Sequence, residues 1–356
     1  MTDQVEAPVL LRRHGRAAQL VLNRPRAINA LTLEMVRLIT SALESWRDDA
    51  DVETIVLTGA GDRGLCAGGD IVTLWQDAKA GGSASAEFWA EEYRLNALIA
   101  EYPKPFVAVM DGIVLGGGIG LSAHASVRVV TERSSIGMPE TGIGFLPDVG
   151  GTHLLGHAPG QTGVHLALTA GTVGAGDAVA IGFADHYVPS DRIPALLERL
   201  ATTGPPQAVA EVAAAAPESP LLSARDWIDD AYGADAVEDI LVALRARGIP
   251  AATRAADAIA SKSPTSLKIT LRAVRAARSL SLRQALDQEY RLALRCHAGH
   301  DFVEGVRAQV IDKDRKPVWE PATLEGVTAG DVDAYFAPLG ERELGLSQDR
   351  SQESTS

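Results

Sequence analysis

Apolar residues recur along this chain in two rhythms. From Phe106 to Met110 they run unbroken between Pro105 and Asp111-Gly112, the pattern of a strand buried on both faces. Thr54 to Thr58 also reads as a buried strand, Val127 to Val130 as another strand, and Val9 to Leu11 with Gln19 to Leu22 predict two short strands about a turn at His14-Gly15. The second rhythm is helical. Leu33, Val36, Ile39, Leu43 and Trp46 fall every three or four residues, so they form one helical stripe for which Thr32 is a natural N-cap. Helices are also predicted over Ala86 to Glu101, stopped by Pro103 and Pro105, and over Thr152 to Ala170, broken at Gly156, Gly160 and Gly163. GDAVAIGFADHYV predicts a helix leading to a strand, and Lys79 to Ser85 has the composition of a mobile flap.

Beyond about Pro205 the texture turns rich in alanine, leucine and arginine, and strand candidates become few. Leu267 to Arg278 and Leu282 to Cys296 are the strongest helices there, the latter capped by Ser281 with Leu282, Leu286, Tyr290 and Leu294 on one face. The expected organisation is therefore a layered α/β core over residues 1–204, a mainly helical region over 205–347 and a disordered polar tail over 348–356, with no internal repeat.

Charge and composition narrow the function. With 33 basic against 46 acidic residues the net charge is −13, which disfavours nucleic acid or an anionic membrane as partner, and an anionic ligand would need a local basic pocket. No apolar run reaches the roughly 18 residues of a membrane span. Cys66 and Cys296 are the only cysteines and form no C-x-x-C pair, so a reducing cytoplasm is expected, and MTDQVEAP lacks the pattern of a secretion signal and reads as a frayed end.

Candidate chemistry concentrates between Phe106 and Gly151. Gly116, Gly117 and Gly118 let a ligand approach main-chain N–H groups, while Glu140 and Asp148 stand among apolar and glycine neighbours, as a cap and a turn aspartate or as reacting carboxylates. GAGDRGLCAGGDI is a second glycine-rich loop, feeding a helix near Ile71. Gly118 to Ala123 fits G-x-G-x-x-A, but no acid-ended strand follows at dinucleotide spacing. His153, His157 and His165 have a metal-like spacing without the acid of H-E-x-x-H, and read as packing or surface histidines. Ser122 lacks a nucleophile elbow, Cys66 reads as a buried filler, and Glu92-Tyr93 by itself reads as an acidic helix face.

NRPRAINAL, CAGGDI, LGGGIGLS and EGVRAQVIDKDRKPVW, in that order, resemble the crotonase (enoyl-CoA hydratase/isomerase) superfamily over most of the chain. EEYRLN, KPFVAVMDGIVLGGGIGLSAH and MPETGIGFLPDVGG more closely resemble its 3-hydroxyisobutyryl-CoA hydrolase branch. The resemblance implies a ββα spiral with a helical C-terminal region, an acyl-CoA thioester as small-molecule substrate, and no cofactor or metal beyond the coenzyme A carried by that substrate. It implies an oxyanion hole from the amides of Gly69 and Gly117, a coenzyme A pocket at Ala67, Asp70 and Ile71, and a phosphate contact at Arg26. It also implies a homo-oligomer, unless the helical region covers the same surface.

One departure separates the reactions. Hydratases of the superfamily carry two glutamates, and where one should follow the triple glycine this chain has Gly120. Glu140 stands at the position of the other, and Asp148 and Glu92 match acids of the hydrolase branch, placed to hold the substrate hydroxyl or the attacking water. Hydrolysis of a short 3-hydroxyacyl-CoA, most simply 3-hydroxyisobutyryl-CoA in valine catabolism, is the expected activity. The alternatives are another crotonase reaction such as hydration or isomerisation, or a non-catalytic acyl-CoA-binding protein.

Overall fold

A computed structural model describes residues 7–348. The N-terminal tail and, past its first residue, the tail expected at 348–356 lie outside the described residues. Ten strands occur in chain order: β1 (Val9–His14), β2 (Ala17–Leu22), β3 (Thr54–Gly59), β4 (Gly64–Cys66), β5 (Phe106–Met110), β6 (Ile113–Leu115), β7 (Val127–Val130), β8 (Ser135–Gly137), β9 (Thr172–Val173) and β10 (His186–Tyr187). The first eight come as four pairs, each followed by a helix, at Leu33–Arg47, Ile71–Lys79, Gly117–Ser122 and Gly151–His157. The first pair lies in the larger of two sheets and the other three pairs divide their members between them, in the orders β1-β2-β3-β5-β7-β10 and β4-β6-β8-β9. That repeat is the expected ββα spiral. In the larger sheet β1 runs antiparallel to β2, and the other neighbours pair in parallel.

By internal contacts the chain forms two compact units interleaved in sequence. The first takes residues 7–70, 94–136 and 173–219 of the described chain. Its parallel strands are covered on both faces, which is why Ala17–Leu22 and Phe106–Met110 are buried throughout and the latter reads as an unbroken apolar run. Val56, Val107 and Val129 pack against Leu196 and Leu200 of the Ile193–Leu200 helix and Val209 of the Pro205–Val212 helix.

Asn29 ties this unit's loops together. Its side chain accepts from Arg24 N at 2.9 Å and donates to the carbonyls of Ala60, Gly64 and Leu65 at 3.1 Å each, with no exposed surface. NRPRAINAL is thereby stitched to the loop that follows β3. Part of that loop, expected to be irregular, is β4. Strands of two or three residues, such as β4, β6, β8 and β9, are too short to show alternation.

The second unit takes residues 71–93, 137–172 and 220–348 and is dominated by helices, with 3-10 turns. Ser281 accepts from Gln284 N while the Gln284 side chain accepts from Ser281 N, the capping box that starts Leu282–Ala298. The Ala84–Ala100 helix starts earlier than expected because the Asp77 carboxylate accepts from Ala84 N and Ser85 N at 3.3 and 2.8 Å. The glycines before it form a turn tied to the same residue, Gly82 N donating to Asp77 O at 2.8 Å, where a flap was expected. The region expected over Thr152 to Ala170 is two helices, Gly151–His157 and Thr162–Thr169. Gly163 lies inside the second of these, because a Cβ there would stand 1.8 Å from Leu155 O. No helix among the described residues is long and apolar enough to cross a membrane.

Replacing Asn29 by Ala removes the donor to two buried carbonyls, Gly64 and Leu65, and to the half-buried Ala60 carbonyl, and the acceptor of one amide, so Asn29→Ala is expected to cost about 2–3 kcal/mol, read as a lower urea midpoint. An unchanged midpoint would remove Asn29 as the brace of these loops.

Candidate active site

In the first unit, the chemistry lies in main-chain donors. Residues Ala67 to Asp70 run beside Ile28 to Leu31, and Leu31 and Gly69 form a parallel bridge. Ala67 N donates to Ile28 O, Leu31 N to Gly68 O and Asp70 N to Leu31 O, at 2.8–2.9 Å. In such a ladder successive N–H groups alternate sides, so the Gly69 N–H points away from Leu31 and meets no backbone acceptor among the described residues. Gly117 is the first residue of the Gly117–Ser122 helix, a position without an intrahelical acceptor, and its N–H is likewise unbonded to backbone.

Glycine is needed where these segments meet. Gly116 has φ 46° and ψ −118°, and Gly68 has φ +103° with space for a Cβ only at 3.4 Å from Leu115 O and 3.7 Å from Gly117 N. A Cβ on Gly118 would lie 2.6 Å from Cys66 O. The loop carrying Gly69 thus packs directly against the turn carrying Gly117. Cys66 is the buried filler expected, ending β4 with its thiol donating to Asn29 O at 3.2 Å.

The coenzyme A candidates share this unit except Ile71, which starts the Ile71–Lys79 helix of the second. With the Ala67 and Asp70 amides already engaged, only their carbonyls and the Asp70 side chain face a ligand's donors, and Asp70 is paired with Arg24 at 2.8 Å. Arg26 is exposed, and no carboxylate pairs with it among the described residues. Arg63, which sequence reasoning missed, reaches the Arg26 carbonyl at 3.4 Å and brings a second exposed cation beside it.

In the second unit, Glu92, Glu140 and Asp148 are all buried, with 2%, 7% and 6% exposure. Glu92 and Tyr93 project from the Ala84–Ala100 helix, whose Trp89 stacks on Phe145 with ring centroids 5.3 Å apart, so the helix turn carrying them faces the core. The acidic helix face expected from AEEYRLN is therefore an interior one. Glu140 opens the Glu140–Ile143 3-10 turn, held by Phe145 N donating to Glu140 O at 3.0 Å and by Thr141 Oγ1 donating to Ala167 O at 3.2 Å. Asp148 accepts from the Tyr93 hydroxyl at 2.7 Å.

A fourth acid was missed. Glu289 is fully buried and accepts from Gly150 N at 2.6 Å, Thr152 N at 2.9 Å and Thr152 Oγ1 at 2.5 Å. Its signal was present in sequence: seven residues after Leu282 and three after Leu286, it puts a charge in the apolar stripe of its helix.

Burial raises the proton affinity of all four acids. Burial pushes Glu140 well above the carboxylate range, and the charges of Asp148, Glu289 and Glu92 push the same way. Burial, then Asp148, raises Glu92 as well. Asp148 is raised by burial to about 7 although the Tyr93 hydroxyl pulls it down, and Glu289 is raised by burial to about 8 against its Thr152 and Gly150 donors. Glu140 Oε2 and Glu92 Oε1 are buried without a hydrogen-bond partner among the described residues, unlike the two oxygens of Glu289. Such a cluster can exchange protons near neutrality with a bound group.

The histidines do not assemble a metal site. His153 and His157 lie with ring centroids 4.2 Å apart and their planes tilted by 46°, and His165 Nδ1 lies 2.8 Å from the Tyr232 hydroxyl. No group of three or more histidine, cysteine or acidic residues among the described residues is arranged to hold a metal ion.

A family model described as enoyl-CoA hydratase/isomerase matches residues 17–336. Among curated relatives, a mitochondrial 3-hydroxyisobutyryl-CoA hydrolase of Rattus norvegicus is 44% identical over 95% of this chain and 91% of its own length. The Danio rerio protein of the same name is 41% identical over 97% and 94%. Among solved structures, a carnitinyl-CoA dehydratase from Mycobacterium thermoresistibile is 50% identical with TM-score 0.93, covering 96% of this chain and 99% of its own. An enoyl-CoA hydratase from Rhodobacter sphaeroides is 44% identical with TM-score 0.90, covering 95% and 99%.

Folded Asp148 keeps its proton to about pH 7, whereas unfolded it loses it near the ordinary 3.8. The native state therefore binds more protons within that window, and the stability Asp148 contributes is full below it and lost as pH rises through the folded value. In Asp148→Asn that loss disappears, so the variant's melting temperature relative to the unmodified protein should rise between about pH 5 and about pH 8. Parallel melting curves across that range would mean the carboxyl is solvated.

Proposed function

The chain belongs to the enoyl-CoA hydratase/isomerase family, and on that premise we propose that it hydrolyses 3-hydroxyisobutyryl-CoA to 3-hydroxyisobutyrate and coenzyme A, a step of valine catabolism. It is an acyl-CoA thioester hydrolase. The observation that carries this reading is Gly120, a buried glycine in the Gly117–Ser122 helix where the family's hydratases place their second glutamate. Adding or removing water across a double bond needs a proton given at one carbon and oxygen activated at the next. Cleaving a thioester needs one carboxylate to deliver oxygen to a single carbon, and donors for the oxyanion. The hydration and dehydration named for the two solved structures meet the Gly120 objection, while the hydrolase relatives agree with it.

In this reading the thioester carbonyl oxygen takes hydrogen bonds from the Gly69 and Gly117 N–H groups, which the backbone leaves unbonded. Charge that develops on that oxygen as the carbonyl carbon is attacked meets donors already oriented. Glu140, in its ionised form, either takes a proton from water attacking the carbon or attacks it itself to give a mixed anhydride that water opens, and in both routes the thiolate leaves and is protonated. Its buried, unpartnered Oε2 supports a reacting role. Asp148 and Glu92 hold the 3-hydroxyl or the water. The backbone carbonyls of Ala67 and Asp70, with Ile71, receive the coenzyme A adenine, and Arg26 with Arg63 meets its phosphates.

This chemistry uses no metal or redox group, and coenzyme A enters only with the substrate. A homo-oligomer is proposed from the family resemblance. A cytoplasmic location is proposed from two buried cysteines that form no disulfide, which suit any reducing compartment; the vertebrate relatives are mitochondrial by name.

Thiol release from 3-hydroxyisobutyryl-CoA is the direct assay. Glu140→Gln is expected to lower kcat by about a hundredfold or more with acyl-CoA binding retained. Rapid hydration of crotonyl-CoA without thiol release would sink the hydrolase reading, and full activity in Glu140→Gln would remove that residue from the mechanism.

A further inference from the structure

The turn that carries Asp148 has little local means of support. Val149 takes φ 53°, a left-handed conformation unusual for a β-branched residue, and Gly150 follows at φ 80°. The Gly151–His157 helix begins there, and its N-cap, Gly150, has no side chain to satisfy the first amides. Those amides are met from far along the chain. Glu289, 139 residues from Gly150 and 137 from Thr152, receives Gly150 N on Oε2 and both Thr152 N and Thr152 Oγ1 on Oε1. Three donors on two oxygens fix the carboxylate in place and fix the backbone on either side of Gly151, whose own N–H donates to Asp148 O at 2.6 Å.

The other side of the turn is held by Tyr93, whose hydroxyl grips Asp148 Oδ2, and Tyr93 packs edge-on against Tyr290, the neighbour of Glu289, with ring centroids 6.2 Å apart. One helix, Leu282–Ala298, thus braces Asp148 twice, through the main chain by Glu289 and through the side chain by Tyr290 and Tyr93. The groups around Glu289 are the acids Asp148 and Glu140, the Tyr93 phenol and the Thr152 hydroxyl, and no lysine or arginine pairs with it among the described residues.

We propose that Glu289 is a positioning residue for thioester hydrolysis, holding the strained 148–152 turn so that Asp148 meets the substrate's 3-hydroxyl. The proposal rests on the hydrolase reading above. Its signature is selectivity, because an Asp148 displaced from the 3-hydroxyl penalises only substrates that carry that hydroxyl.

The experiment compares 3-hydroxyisobutyryl-CoA with isobutyryl-CoA, which lacks the hydroxyl, in the unmodified protein, Glu289→Gln, Thr152→Val and Thr152→Ser, with near-UV circular dichroism as the check on folding. In Glu289→Gln, kcat/KM for the hydroxylated substrate should fall at least about tenfold more than for isobutyryl-CoA. Thr152→Val, which deletes one of the three donors, should lose selectivity by several fold, about threefold or more, and Thr152→Ser should retain it. Equal losses on both substrates in folded Glu289→Gln would overturn the positioning role. Should that variant not fold, the Thr152 pair decides: a selectivity ratio the same in Thr152→Val as in Thr152→Ser overturns the proposal, and a lower ratio in Thr152→Val alone supports it. Absence of thiol release by the unmodified protein would instead overturn the hydrolase reading, and the proposal with it.

Discussion

Four carboxyl groups share one buried region of the second unit without a lysine or arginine to pair with them among the described residues, and that constraint shapes everything nearby. Desolvation and mutual repulsion keep Glu92, Glu140, Asp148 and Glu289 from ionising together. The donors that do reach these acids are neutral. A phenol serves Asp148 and two amides and a hydroxyl serve Glu289, while one oxygen each of Glu92 and Glu140 is left without a partner. The division is functional as well as energetic: the acid with its hydrogen bonds made is suited to hold structure, and the acid with a free oxygen is suited to meet a reactant.

In the proposed hydrolysis the part of the first unit is to supply main-chain donors. Oxyanion donors must be oriented before the charge appears, and a backbone N–H in a bridge or at a helix start is oriented by the fold itself. Gly69 and Gly117 hold such positions because the neighbouring amides are consumed by Ile28, Leu31 and Gly116 carbonyls. Asn29 secures the loops on which this depends, taking up four backbone groups from both sides. The donors thus rest on loop geometry that glycine permits and a buried amide enforces.

Much of this was legible in one dimension. Short apolar runs located β3 and β5, a valine-rich segment located β7, and cap chemistry at Thr32 and Ser281 located the starts of their helices, because these signals act within a few residues. Glu140 and Asp148 stood out as acids in apolar, glycine-rich surroundings, and both are buried. The short strands of the smaller sheet escaped because two or three residues carry no period, and Asn29 escaped because an asparagine after a proline turn looks like loop chemistry.

Local patterning and the order of motifs thus determined the strand and helix types, the family resemblance and the candidate reacting residues. Which acids are partnered was decided only by tertiary structure. Tyr93 meets Asp148 across 55 residues and Glu289 meets Gly150 across 139, and no periodicity reaches that far. Packing brings those residues together, and the burial it creates is what raises the carboxyls toward neutrality. A sequence shows that an acid is present; the desolvation that sets its proton affinity exists only once the surrounding helices have closed over it.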